Sequence, residues 1–174
     1  SDVDGDDLSV SVSSSNSSIA ANFDIIEGND NILIAADDNF NGSTIVSVVI
    51  SEVDGEYQTS ESFAVTINPV NDTPSMVSVS DITTSEETAA VVSLNATDID
   101  GDTNFTFNAQ TSSNLFTLDV SSSNLTVIPL ENQVGTGTIE IFANDGELDS
   151  GSITFDVTVE NVNDAPILSS ISNP

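Results

Sequence analysis

Three short signals recur in this chain in the same order and at nearly the same spacing, so whatever it folds into has to fit inside the repeat they define. Asp-x-Asp-Gly-Asp stands at Asp2, Asp4, Gly5 and Asp6 and again at Asp98, Asp100, Gly101 and Asp102. Asp-Gly-Glu stands at Asp54, Gly55 and Glu56 and again at Asp145, Gly146 and Glu147. Val-Asn-Asp-x-Pro stands at Val70, Asn71, Asp72 and Pro74 and again at Val162, Asn163, Asp164 and Pro166. The separations, 96, 91 and 92 residues, differ only by what one small loop insertion supplies. The modules so defined are 1–74, 75–166 and a remnant, 167–174, that opens a third module or is a linker. The second has the stretch Met76 to Thr97 ahead of its Asp-x-Asp motif, whereas the first begins on that motif. The first module is therefore expected to lack its leading strand or strands, and the chain reads as a piece of something longer.

Inside each module apolar and polar residues alternate, as in Ile153, Phe155, Val157, Val159 and in Phe105, Phe107. That is the period of a half-buried strand, and helical spacing is absent. Strands are predicted near 44–51, 61–70, 76–80, 89–96, 104–110, 115–120, 124–129, 137–143 and 151–160, separated by Asn, Ser and Gly turns. The run Ser11 to Ser18 reads as the tail of a strand and a polar loop. Roughly seven strands at a spacing of about 8 to 12 residues describe an all-β antiparallel sandwich with immunoglobulin-like layering.

Charge narrows the function. The 174 residues include 29 Asp and Glu and no Lys, Arg, His, Cys or Trp. Nothing is available to neutralise phosphates or anionic headgroups, which argues against nucleic acid and acidic membranes as partners. Cys/His and Ser/His nucleophilic chemistry lacks its parts, disulfides are impossible, and any metal has to be hard and oxygen-bound. No apolar run approaches the ~18 residues of a membrane span. A mean hydropathy of +0.05 with 37% hydrophobic residues is too apolar for a solvated tail, so the chain is expected to fold.

Asp98, Asp100 and Asp102 gather carboxylates around one tight turn. Two unit charges 4 Å apart repel by about 1 kcal/mol in water and about 4 kcal/mol at an effective dielectric of 20. A cluster of them is stable with a cation among them, and calcium, which takes six to eight oxygens in irregular loops, suits it better than magnesium. An EF-hand is excluded, because the sixth position counted from Asp98 is Thr103 and the twelfth is Ala109. For Asp54 or Asp145 taken alone, hairpin turn chemistry on a solvated surface explains the Asp-Gly pair as well.

Several stretches resemble a known family: Phe116-Thr117-Leu118-Asp119, Leu130-Glu131, Ala143-Asn144-Asp145-Gly146, Val157-Thr158-Val159 and Val162-Asn163-Asp164-Ala165-Pro166 are similar to the consensus of cadherin repeats. Asp38-Asn39-Phe40-Asn41-Gly42, followed by Val70-Asn71-Asp72-Thr73-Pro74, resembles the cadherin-like tandem repeats of large bacterial calcium-dependent surface adhesins. The resemblance implies cadherin-like β-sandwich modules with Ca2+ held between successive ones. It implies a junction site made of Asp38, Asn71, Asp72, Asp98, Asp100 and Asp145, with Asp102 nearby. It implies one half-site of Glu86 or Glu87, Glu131, Asn163 and Asp164, and another of Asp2, Asp4 and Asp54. The linker is shorter than in animal cadherins, Asn161 replaces an aspartate, and Leu130-Glu131 holds only part of the acidic loop motif, so the number of ions per junction stays open.

The function so implied is a calcium-rigidified spacer or structural repeat of a long extracellular protein on a bacterial cell surface, partnered by neighbouring repeats of its own chain, and not an enzyme. The alternative is a module that assembles with copies of itself into a filament, sheath or cell–cell contact. Polysaccharide binding is weaker, since Tyr57 and eight Phe are the only aromatic residues. Six Asn-x-Ser/Thr triplets, Asn16 and Asn95 among them, are no more than Ser, Thr and Asn abundance produces by chance.

Overall fold

The computed structural model describes residues 7–26, 29–53, 55, 57–166 and 168, with 22–26 and 29–30 as backbone. Asp2, Asp4 and Asp54 lie outside the described residues. The chain forms two compact units, Ser1–Val70 and Asn71–Pro174, so the Asn71-Asp72 linker belongs to the second. Every regular element among the described residues is a strand.

In the second unit β6 is Ser75–Met76, β7 Ile82–Ser85, β8 Ala90–Ser93, β9 Ala96–Thr97, β10 Thr106–Gln110, β11 Phe116–Ser121, β12 Asn124–Pro129, β13 Gly135–Asn144 and β14 Ile153–Glu160. They form sheets of order β10-β13-β14-β7 and β11-β12-β8, with the short pair β6-β9 beside them. All pairings are antiparallel except β7 against β14. Alternation puts Ile139, Ile141 and Ala143 of β13 and Phe155, Val157 and Val159 of β14 on one face, where they meet Leu125 and Val127 of β12 and Phe116 of β11. Burying each large aliphatic side chain of this kind contributes about 1.5–3 kcal/mol.

Gly137 completes this packing for a steric reason. It is buried in β13, and a Cβ there would fall 2.7 Å from Ser113 Cβ and 3.0 Å from Phe116 Cε1. Gly137→Ala is expected to destabilise the second unit by about 1–3 kcal/mol through overpacking. Chemical denaturation measures this, and an unchanged midpoint would mean that the Ser113 loop yields freely.

The first unit repeats part of that design. Its strands are β1 (Leu8–Ser14), β2 (Ile19–Ile26), β3 (Asn29–Ala36), β4 (Gly42–Glu52) and β5 (Gln58–Ile67), in sheets β1-β4-β5 and β2-β3. The order β1-β4-β5 matches β10-β13-β14, and β2-β3 matches β11-β12. No counterpart of β7 lies beside β5, and none of β8 beside β3, among the described residues. The core is correspondingly small. Val46 and Ile19 are buried with Thr44, whose hydroxyl lies 2.9 Å from Ser14 Oγ, whereas Phe63 is 42% exposed.

Several strand expectations need correction. The segment predicted at 76–80 is a strand only over Ser75–Met76. The one predicted at 89–96 divides into β8 and β9, because Leu94 N–H donates to Ser123 O at 2.8 Å and Asn95 O accepts from Val77 N–H at 2.9 Å. The one at 61–70 stops at Ile67, just before Asn68-Pro69. Strands β2, β3 and β7 were not predicted, and of β1 only the tail from Ser11 was. β1 does carry the alternation Leu8, Val10, Val12, while β7 is Ile-Thr-Thr-Ser and has little apolar signal to read. The expected strand tail and polar loop over Ser11 to Ser18 are present, with β1 ending at Ser14 and a turn after it.

Candidate metal centre

Two loops and the linker meet at one end of the second unit. β9 ends at Thr97, and the chain turns through Gly101 at φ 90° before β10 begins. The turn is held by Asp98 Oδ1, which accepts Asp100 N–H at 2.7 Å. Between β13 and β14, Asp145 Oδ1 accepts the N–H groups of Glu147 at 2.7 Å and Leu148 at 2.8 Å, while Gly146 turns at φ 114°. The linker straps across both loops. Asp72 N–H donates to Asp100 Oδ2 at 2.7 Å, and Asn71 Nδ2 donates to Asp145 Oδ2 at 3.0 Å. Asn71, Asp72, Asp98, Asp100 and Asp145 are thus brought together, and Asp98 Oδ2 is left buried with no hydrogen-bond partner. Asp102 is an exposed residue of the same loop.

The second linker shows related chemistry. Glu86 follows β7 and is only 3% exposed. Its N–H donates to Glu160 O at 2.9 Å, and its Oε1 accepts Val162 N–H at 2.8 Å. Its Oε2 is buried without a partner. Glu87 instead stands exposed at φ 64°. Asn163 Nδ2 donates to Asp164 O at 3.3 Å, as Asn71 Nδ2 does to Asp72 O at 3.2 Å, so the two Asn-Asp linkers share a local geometry. Glu131 is an exposed turn residue after β12. Asp38 is an exposed residue of the β3–β4 turn in the first unit.

Among the described residues no three His, Cys, Asp or Glu side chains form a ready metal cage. Hydrogen bonds already occupy both oxygens of Asp145 and one of Asp100. What fits a cation is the pair of orphaned oxygens, Asp98 Oδ2 and Glu86 Oε2. A buried carboxylate oxygen without a donor is costly. With no ammonium, guanidinium or imidazole side chain in the sequence, a hard cation is the natural counter-charge, and every available side-chain ligand is oxygen. Residue types alone could not have revealed the main-chain donors at Asp72 and Val162, since every residue but proline carries the same N–H.

The N–H groups of Leu148, the Asn71 amide and the N–H of Glu147, in that order, hold the Asp145 carboxyl below its usual 3.8. A depressed carboxyl stabilises the fold above its unfolded pKa and loses that contribution as pH falls through the lower folded value. In metal-free buffer, acidification below pH 3.8 is therefore expected to weaken the Asp145 loop. Asp145→Asn should flatten that part of the stability–pH curve, and an unaltered curve would remove Asp145 from the strap.

No protein-family model matches the chain, and no curated protein matches it. Among solved structures it is similar to human mucin-like protocadherin EC1-2, with a TM-score of 0.51 and 18% identity over 89% of this chain and 85% of that one. It is also similar to mouse cadherin-23 EC22-24, with a TM-score of 0.56 and 18% identity over 88% of this chain and 53% of the other. The protocadherin gammaB7 EC3-6 cis-dimer structure aligns with a TM-score of 0.53 and 12% identity over 87% and 41%. Identities this low speak to fold alone. The chain has the all-β fold of tandem cadherin-like sandwich modules.

Proposed function

We propose that this chain is a calcium-stiffened structural segment of a long extracellular protein, built from tandem cadherin-like modules and serving as a spacer rather than a catalyst. The supporting observation is Asp98 Oδ2, buried and partnerless in one of the two loops that the Asn71-Asp72 linker straps down. Asp98, Asp100, Asn71 and Asp72 would contribute the oxygens of the second unit. Glu86, Asn163 and Asp164 would begin the equivalent site at the next linker. A bound divalent cation supplies the counter-charge that the chain itself lacks. The residues do the rest: the strap fixes the linker, and each orphaned oxygen gains a cation as its partner. Extracellular calcium modules bind at about 10⁻⁴ to 10⁻³ M, which suits stiffening outside the cell. A bacterial surface adhesin is the setting that the linker motif favours.

One observation favours a second reading, self-assembly. The outward face of the β1-β4-β5 sheet, including Ser11, Ser47, Ser60, Ser62, Ile45 and Ala64, carries no carboxylate. The matching face of the second unit carries Glu140, Asp156 and Glu160. In a chain of net charge −29 the uncharged face is where copies approach with least repulsion. Small-angle scattering with excess EDTA and then with about 10 mM calcium, above the expected affinity range, separates the readings. A longer, stiffer monomer supports the spacer, concentration-dependent assembly supports the second reading, and an unchanged particle in calcium overturns the metal junction.

A further inference from the structure

Asn41 is the only asparagine in the sequence that is followed by glycine. It stands in the connection between β3 and β4, in the run Asp37-Asp38-Asn39-Phe40-Asn41, directly ahead of Gly42, the first residue of β4. Phe40 N–H donates to Asp37 O at 3.2 Å and Asn39 sits at φ 58°, so the chain turns tightly just before it. Asn41 is exposed. Other asparagines are tied down through their side-chain oxygens. That of Asn16 accepts Ser18 N–H at 3.0 Å, that of Asn95 accepts Ala96 N–H at 3.0 Å, and that of Asn144 accepts Gly146 N–H at 2.8 Å. Among the described residues no such bond holds the Asn41 amide.

The main-chain nitrogen that follows Asn41 is unhindered. Gly42 places no Cβ beside it, whereas the exposed Asn104 and Asn124 are followed by the bulky Phe105 and Leu125. The turn itself requires glycine there: φ is 139°, and a Cβ would fall 3.2 Å from Phe40 Cζ. Gly42 also forms the first pair of the β4–β5 ladder, opposite Ile67, and the end of a ladder opens at the least cost.

We propose that Asn41 is a site of spontaneous deamidation. Gly42 N gives up its proton to hydroxide and attacks Asn41 Cγ. The new N–C bond closes a five-membered succinimide ring, and the side-chain nitrogen leaves as ammonia, taking a proton from water. Water then opens the ring at either carbonyl, giving aspartate or isoaspartate. No oxidant, enzyme or metal takes part. The aspartate form puts a third carboxylate beside Asp37 and Asp38 and adds one negative charge to a chain already at −29. The isoaspartate form routes the main chain through the side chain and lengthens it by one CH2 just before β4. Both change the charge and the entry to β4 with the age of the molecule, which matters for a long-lived structural segment.

The test is peptide mapping of the full chain after storage in EDTA at neutral and at mildly alkaline pH. The sequence offers trypsin no Lys or Arg, but a protease that cuts before aspartate releases Asp38–Val53. That peptide is expected to gain the mass difference between amide and acid at least ten times faster than the peptides holding Asn104 and Asn124, and faster still at the higher pH. A new cut between Phe40 and position 41 marks the aspartate form, and a heavier peptide that resists the cut marks the isoaspartate form. Asn41→Gln should abolish the gain, and the folded chain should react within tenfold of the same chain unfolded in urea. Equal rates at the three asparagines, a gain that survives Asn41→Gln, or a folded chain that is inert where the unfolded one reacts each overturns the site. Because calcium is absent throughout, failure here leaves the metal junction untouched.

Discussion

Calcium at about 100 times its dissociation constant should stabilise the chain by about 2.7 kcal/mol per independent site. For a unit of this size each kcal/mol is worth about 4–8 °C in melting temperature, so the shift is large enough to follow by circular dichroism. Asp98→Ala combined with Asp100→Ala should abolish it. Asp98→Asn is the sharper variant because its effect should change sign. In EDTA the wild-type carboxylate holds a buried oxygen without a donor, and a neutral amide of the same shape is expected to be equal or more stable there. In calcium the same substitution removes a ligand, and the variant should fall below wild type. Asn at 98 that is less stable by the same amount with and without calcium would assign Asp98 to turn formation through Asp100 N–H and take it out of the metal site.

Truncating the two matching phenylalanines should produce very different losses. Phe155→Ala removes a ring that is 3% exposed and packed among Ile139, Ile141 and Val157. The expected cost is about 3–5 kcal/mol, a large part of the stability of a domain this size. Phe63→Ala removes a ring that is 42% exposed and should cost no more than about 1 kcal/mol. Denaturant melts of the two variants give the comparison directly. Equal losses would mean that Phe63 is packed as tightly as Phe155.

Much of the fold was legible because it rests on local patterning. Strict alternation in Ile153–Val159 and 137–143 announced β14 and β13, and Asn, Ser and Gly marked their ends. β7 escaped because it pairs through its backbone with β14, some 75 residues away, and Ile-Thr-Thr-Ser states nothing about that partner. β2 and β3 were equally hidden, since their pairing is recorded in register rather than in residue type.

Read by itself, the sequence determined the all-β class, the period near 92 residues, the Asn-Asp-x-Pro linker and an all-oxygen ligand set without any cationic side chain. These follow from residue type and spacing, which no packing can change. Only the tertiary structure decided which oxygens are spent and which are free. It turned Glu86 inward and Glu87 outward, joined Asn71 to Asp145 across 74 residues, and left Asp98 Oδ2 and Glu86 Oε2 without donors. Among the described residues it also gave β14 an outer neighbour, β7, and β5 none. Burial and main-chain hydrogen bonding depend on what the rest of the chain brings alongside, and for that reason identical residues at matching repeat positions met different surroundings.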